Sequence, residues 1–217
     1  MPSVAAANGE QLAPSARLAC YPAQFSTFKP RPLKVADQFG VKLTISVDFP
    51  DTVCAPASGK STGYLTCYHT TVNSTNMSST VVRGSDEFGA INARLYVKGP
   101  ALCVPSVRLD SGAGSPVKGL DSYACYPSIG PALGRPGVTI SDDFGSTPDT
   151  ITARALLCAP AAIGSTGLVN GGLGLSCYGV GSNVKGTSAI MQDQFGLLKA
   201  ALGVRGRLCS AVTPSPY

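Results

Sequence analysis

The chain has 217 residues, with 13% charged, 25 Gly, 17 Pro, eight Cys, one His, no Trp and a formal net charge of +5. Charged residues run at roughly half the common share of about 25%, and the Gly and Pro content speaks against long helical bundles. A single histidine excludes multi-His zinc chemistry, and it excludes any His-based triad not built on His69.

Residues 1–9 carry neither the basic start nor the apolar run of an intact secretory leader. The first element predicted is a short apolar strand, Arg17-Leu18-Ala19-Cys20-Tyr21. An alternating run, Leu33 to Ala36, then enters an Asp37-Gln38-Phe39-Gly40 turn, and Lys42 to Val47 alternates apolar with polar on the far side. The second unit places Cys67-Tyr68 on a strand, Val81 to Arg83 before the turn Asp86-Glu87-Phe88-Gly89, and Ile91, Ala93, Leu95 and Val97 after it. The third has Cys125-Tyr126, Val138 to Ile140 and Asp142-Asp143-Phe144-Gly145. The fourth has Cys177-Tyr178, Ser188 to Met191 and Asp193-Gln194-Phe195-Gly196. The last stretch, 196–203, has a helix-like composition, but its counterpart in the first unit alternates, so it is assigned to strand.

The order Cys-Tyr, Asp-x-Phe-Gly, Cys therefore occurs four times, with starts at Cys20, Cys67, Cys125 and Cys177 and endings at Cys54, Cys103, Cys158 and Cys209. The expected fold is all-β: four tandem disulfide-stapled repeats of three to four strands, packed as β-sandwich-like modules or, alternatively, as a closed pseudo-fourfold arrangement. The units span about 17–57, 64–106, 122–161 and 174–211. They group into halves 1–110 and 111–217 about the Gly- and Ser-rich linker 111–119.

All eight cysteines belong to the repeat. Within a unit they lie 34, 36, 33 and 32 residues apart, and between units 13, 22 and 19. The near-constant spacing favours Cys20–Cys54, Cys67–Cys103, Cys125–Cys158 and Cys177–Cys209. The rival scheme crosses the linkers as Cys54–Cys67, Cys103–Cys125 and Cys158–Cys177, and Cys20–Cys209 completes the circle. Either scheme implies an oxidising compartment, so the expected location is secreted or cell-surface.

In the turn, Asp37, Asp86, Asp142 and Asp193 are suited to accept hydrogen bonds from backbone N–H groups two residues on. Gly40, Gly89, Gly145 and Gly196 tolerate positive φ, and Phe39, Phe88, Phe144 and Phe195 are suited to plug the core below. These positions are assigned to structure. No twelve-residue calcium loop surrounds the acids, and the literal Asp-Phe-Gly at 143–145 lacks every other kinase motif. No cofactor is expected. Tyr21, Tyr68, Tyr126 and Tyr178 recur as faithfully as the cysteines. Adjacent to Cys on a strand, they point to the opposite face and serve either packing or interaction with a sugar or a neighbouring subunit.

The combined pattern resembles an uncharacterised repeat family of predicted secreted proteins from environmental bacteria. Cys20-Tyr21, Asp37 to Gly40 and Cys54 to Pro56 carry the resemblance, and Leu102-Cys103-Val104-Pro105-Ser106 matches the family's unit ending best. The chain departs from the family in having no His-Leu-Val before the first cysteine and no Lys after the Tyr. The last ending has Ser210-Ala211 in place of the Pro. The resemblance implies an extracellular β repeat and transfers no activity.

Three functional classes follow. The first is an extracellular structural or interaction protein, a homo-oligomer or polymer that assembles as a surface or filament subunit. The second is a module for a glycan or other ligand, built on the tyrosine row or on Tyr64, Tyr96 and Tyr123. The third is a hydrolase using Asp86/Glu87 or Asp142/Asp143, the least favoured because these acids sit in repeated turns. No basic run marks a nucleic-acid surface, and no apolar run is long enough for a membrane-spanning helix. Asn73 and Asn76 head Asn-x-Ser/Thr triplets in a polar loop, a pattern that such composition generates by chance.

Overall fold

A computed structural model describes residues 16–57, 63–111, 120–168, 171 and 174–214. The linker 112–119 and the terminal segments 1–15 and 215–217 lie outside the described residues. The protein is all-β. Among the described residues no α-helix occurs, and one 3-10 turn, Leu109–Ser111, follows the second unit.

Unit one comprises β1 (Arg17–Phe25), β2 (Arg31–Asp37) and β3 (Lys42–Pro56). Unit two comprises β4 (Tyr64–Thr75), β5 (Ser79–Asp86), β6 (Gly89–Tyr96) and β7 (Ala101–Arg108). Unit three has β8 (Ser122–Pro127), β9 (Ala132–Asp142) and β10 (Gly145–Ile163). Unit four has β11 (Gly174–Gly181), β12 (Ser188–Asp193), β13 (Gly196–Leu202) and β14 (Arg207–Pro214). The stretch 196–203 is thus strand over most of its length, because tertiary pairing with β12 outweighs its helix-like composition.

Each unit gives its two cysteine-bearing strands to one closed circuit. Antiparallel pairing runs β1–β3–β4–β7–β8–β10–β11–β14 and returns from β14 to β1. Eight strands therefore close into a barrel, which leaves these strands no free edge. Of the two arrangements the repeats allow, this is the closed pseudo-fourfold one; all 14 strands join a single sheet rather than separate sandwiches. Both halves of the chain contribute to the circuit, joined at β7–β8 and at β14–β1.

Alternation along the strands separates two cores. On β1, Leu18 and Cys20 face the lumen, whereas Ala19 and Tyr21 face outward. The same division holds for Leu65 and Cys67 against Tyr64 and Tyr68, and for Tyr123 and Cys125 against Ala124 and Tyr126. The lumen core contains all eight cysteines. The outer core lies between the barrel wall and four hairpin arms that carry the Asp-x-Phe-Gly turns.

The arms cross the molecule. The arm of unit one pairs with the barrel strand of unit three (Asp37↔Ala161), that of unit four with unit two (Asp193↔Ser106), and that of unit two with unit four (Ser85↔Thr213). Units one and three run arm into barrel as one long strand, of 15 and 19 residues respectively. Units two and four interrupt it, unit two at Gly99-Pro100 and unit four at 203–206. Diagonal units thus resemble each other most.

Candidate functional site

Two features use the repeated residues: a set of crossed polar locks on the outer face and a sulfur ring in the lumen. The locks begin in the turns. Oδ1 of Asp86, Asp142 and Asp193 each accepts the N–H of the Phe two residues on, at 2.8 Å. Asp37 Oδ1 accepts from the N–H of Val41, at 3.0 Å. The turn glycines have positive φ: 79° at Gly40, 135° at Gly89, 150° at Gly145 and 130° at Gly196.

The second oxygen of each Asp accepts a tyrosine hydroxyl from the diagonal unit. Tyr21 donates to Asp142 at 2.7 Å, Tyr126 to Asp37 at 2.5 Å, Tyr68 to Asp193 at 2.6 Å and Tyr178 to Asp86 at 2.6 Å. The Phe of the same turn packs on the same tyrosine ring, edge-on at 5.0 Å for Phe144–Tyr21 and Phe195–Tyr68, and at 4.8 Å for Phe88–Tyr178. Phe39–Tyr126 is looser, tilted at 6.4 Å. Burial and the adjoining carboxylate push all four phenols above their ordinary pKa.

The structure therefore assigns the tyrosine row to the interior: Tyr21, Tyr68 and Tyr126 are 0% exposed and Tyr178 1%. None offers a ring face to a sugar or a subunit, which corrects the interaction reading of these four residues; Tyr64 and Tyr123 are buried as well, and only Tyr96 of the further aromatics is open. Alternation does put Tyr opposite Cys, but the face opposite the lumen is covered by the arms.

The candidate acids are also engaged. Asp142 bonds Tyr21 and Arg205, Asp143 accepts from Tyr64, Glu87 pairs with Arg17, and Asp86 holds Tyr178. Asn76 braces the first arm: its Oδ1 accepts from Lys42 N at 2.7 Å and its Nδ2 donates to Gly40 O at 3.0 Å.

Sequence reasoning missed Arg205. It is 1% exposed, donates to Asp149 at 2.6 Å, Asp142 at 3.0 Å and the Tyr21 hydroxyl at 3.1 Å, and caps the carbonyls of Ile140 and Gly145. A signal was present: units three and four both carry Arg four residues before the second cysteine. The other, Arg154, lies over the Tyr178 ring with its guanidinium carbon 5.6 Å from the centroid. Each of these arginines serves the tyrosine of the next unit around the barrel.

Inside the barrel, disulfides join Cys20–Cys54, Cys67–Cys103, Cys125–Cys158 and Cys177–Cys209, and no cysteine is free. Cys20, Cys67 and Cys177 lie directly opposite their partners in register. Sulfurs of different disulfides also touch: Cys20–Cys209 at 3.6 Å, Cys103–Cys125 at 3.7 Å and Cys158–Cys177 at 4.0 Å. The cysteines rejected by the favoured pairing are thus neighbours in space.

A cavity of about 170 Å3 lies against this ring, and all eight cysteines line it together with Asp51, His69 and Arg207. His69 stacks on Phe49, centroids 5.0 Å apart and planes within 5°, and its Nδ1 is 3.3 Å from Asp48 Oδ2. Burial would raise the Asp48 carboxyl, but hydrogen bonds from Thr71, Ser46 and His69 hold it below its ordinary pKa. Among the described residues no three His, Cys, Asp or Glu side chains converge as a metal-ligand set, and no helix is long and apolar enough to cross a membrane.

The fold and site define a class, a disulfide-ringed eight-stranded barrel with crossed arms. No family model, curated protein or solved structure matches the chain.

Proposed function

We propose that this chain is an extracellular structural or interaction protein that assembles through the outer faces of its arms. The observation that carries the reading is where the repeated polar residues go: every turn Asp and every paired Tyr is spent on holding arms to barrel, while large apolar side chains stay outside. Ile129 is 97% exposed, Tyr96 63%, Leu197 59% and Phe49 51%. Exposed apolar side chains on a rigid scaffold favour contacts with other surfaces. Four disulfides with no thiol left over support an oxidising compartment, and the resemblance to a family of predicted secreted proteins points the same way. The fully occupied acids make hydrolysis the least supported class.

The test is assembly of the purified, oxidised chain. Light scattering across a wide concentration range and negative-stain electron microscopy should reveal an oligomer or polymer that Leu197→Ser and Tyr96→Ser together weaken. A strictly monomeric chain that instead retains a polysaccharide in a pull-down would sink the assembly reading in favour of glycan binding.

A further inference from the structure

We propose that the eight half-cystines form one exchange-connected redox site, in which a thiol made at any position migrates from unit to unit around the barrel, and that its substrate is a small thiol reductant entering from the cavity. This goes beyond a role as static staples.

Each disulfide bridges two adjacent barrel strands, and three junctions between successive disulfides bring their sulfurs to 3.6, 3.7 and 4.0 Å. At the fourth junction, Cys54 and Cys67 lie on paired strands β3 and β4, offset by two residues in register and so on the same face. A thiolate exchanges by attacking a neighbouring disulfide sulfur, and access decides whether it does so. Here the neighbour is already in contact, so exchange needs no opening of the barrel ladder.

The steps balance. A small dithiol reduces Cys20–Cys54: the dithiol loses two electrons and becomes its own disulfide, and Cys20 and Cys54 become thiols. Cys20, after losing its proton, attacks Cys209 Sγ. The Cys20–Cys209 bond forms, the Cys177–Cys209 bond breaks, and the electron pair leaves on Cys177 Sγ, which takes up a proton. Cys177 then attacks Cys158 and releases Cys125, and Cys125 attacks Cys103 and releases Cys67. No further electrons are consumed. The thiols end on Cys54 and Cys67, in neighbouring units, and three disulfides have changed from within-unit to cross-unit pairing.

The route imposes a parity rule. A thiol that starts on a first cysteine of a unit reappears only on first cysteines, because each attack falls on a second cysteine and expels its partner. Access sets the size of the reductant. All eight cysteines are 5% exposed or less, with Cys67 the most open, so the cavity admits a small thiol and shuts out the active site of a protein reductant.

Cys54→Ala tests the rule in the whole 217-residue chain, because it leaves Cys20 as the single thiol with the three close sulfur junctions ahead of it. After equilibration at mildly alkaline pH, acid quench and alkylation, peptide mapping should find the label shared among Cys20, Cys177, Cys125 and Cys67 and absent from Cys103, Cys158 and Cys209. Label confined to Cys20 would overturn the proposal. So would label on second cysteines that grows with protein concentration, the mark of exchange between molecules. Should the variant fail to fold, the wild-type chain decides. Treated with one equivalent of dithiothreitol, it should yield the cross-unit peptides Cys20–Cys209, Cys158–Cys177 and Cys103–Cys125, and their absence would equally overturn the relay.

Discussion

Tyr21 donates its hydroxyl to Asp142 two units away, while the other oxygen of Asp142 closes its own turn on the N–H of Phe144. One carboxylate thus shapes an arm and ties it to the barrel, and Tyr126 with Asp37 repeats the tie in the reverse direction. Units one and three hold each other, as do units two and four.

This reciprocity is measurable where it is least confounded, at Tyr126 and Asp37, which no guanidinium hydrogen-bonds. Tyr126→Phe leaves a buried carboxylate oxygen without its donor and should destabilise the protein by about 1–3 kcal/mol. In a double-mutant cycle with Asp37→Asn, the two changes should couple by more than about 0.5 kcal/mol although 89 residues separate them. Denaturant titration of the four variants supplies the numbers, and strict additivity would show that the tie carries no energy.

The closed circuit makes the halves interdependent. Residues 1–110 alone would leave β1 and β7 as bare strand edges, because their partners β14 and β8 lie in 111–217. Each half expressed separately should lack a cooperative unfolding transition. Calorimetry should show one transition in the whole chain, and two independent transitions would contradict the shared barrel.

Much of this was legible in the sequence. Periodicity placed the strands, and the constant spacing within units favoured the cysteine pairing that the structure has. The Asp-x-Phe-Gly residues showed their turn role through side-chain chemistry alone. The diagonal was not legible, because nothing local in Asp142 says which of four equivalent tyrosines it meets. That choice follows from barrel closure and arm length. The sulfur ring was hidden for the same reason. Spacing ranks pairings as alternatives, whereas an eight-stranded barrel places the favoured and the rejected partners side by side. Arg205 escaped because its signal, shared with Arg154, occurs in only two of four units.

Arg205 should matter more than any other single cation. It is buried between Asp142 and Asp149, with side-chain exposures of 0%, 0% and 2%. Arg205→Met would strand two carboxylates in the core and should cost about 3–5 kcal/mol. Arg207→Met, on an exposed side chain two residues on, should stay within about 0.5 kcal/mol. Thermal melts of the pair separate a buried ion network from a general loss of positive charge.

Acid should strengthen the locks that lack a hydrogen-bonding arginine. Burial raises the carboxyl pKa of both Asp37 and Asp193, against the opposing hydrogen bonds from Tyr126 and Tyr68. A carboxyl whose folded pKa lies above its unfolded value binds protons more tightly in the folded state. Its contribution to stability is therefore fully present below the ordinary carboxylate pKa of about 4 and is lost as pH rises through the raised folded value. The midpoint of urea unfolding should accordingly rise as pH falls from neutral toward about 4. That slope should shrink when Asp37→Asn and Asp193→Asn are combined, because a neutral amide has no proton to gain. The four tyrosines extend the same sign to the alkaline side. Their phenols are all raised, so stability should fall as pH climbs above the ordinary phenol value of about 10. Phenolate absorbance and circular dichroism followed together should then show the buried tyrosines ionising as the strands are lost; ionisation of all four with the fold intact would mean that the crossed locks do not hold the arms.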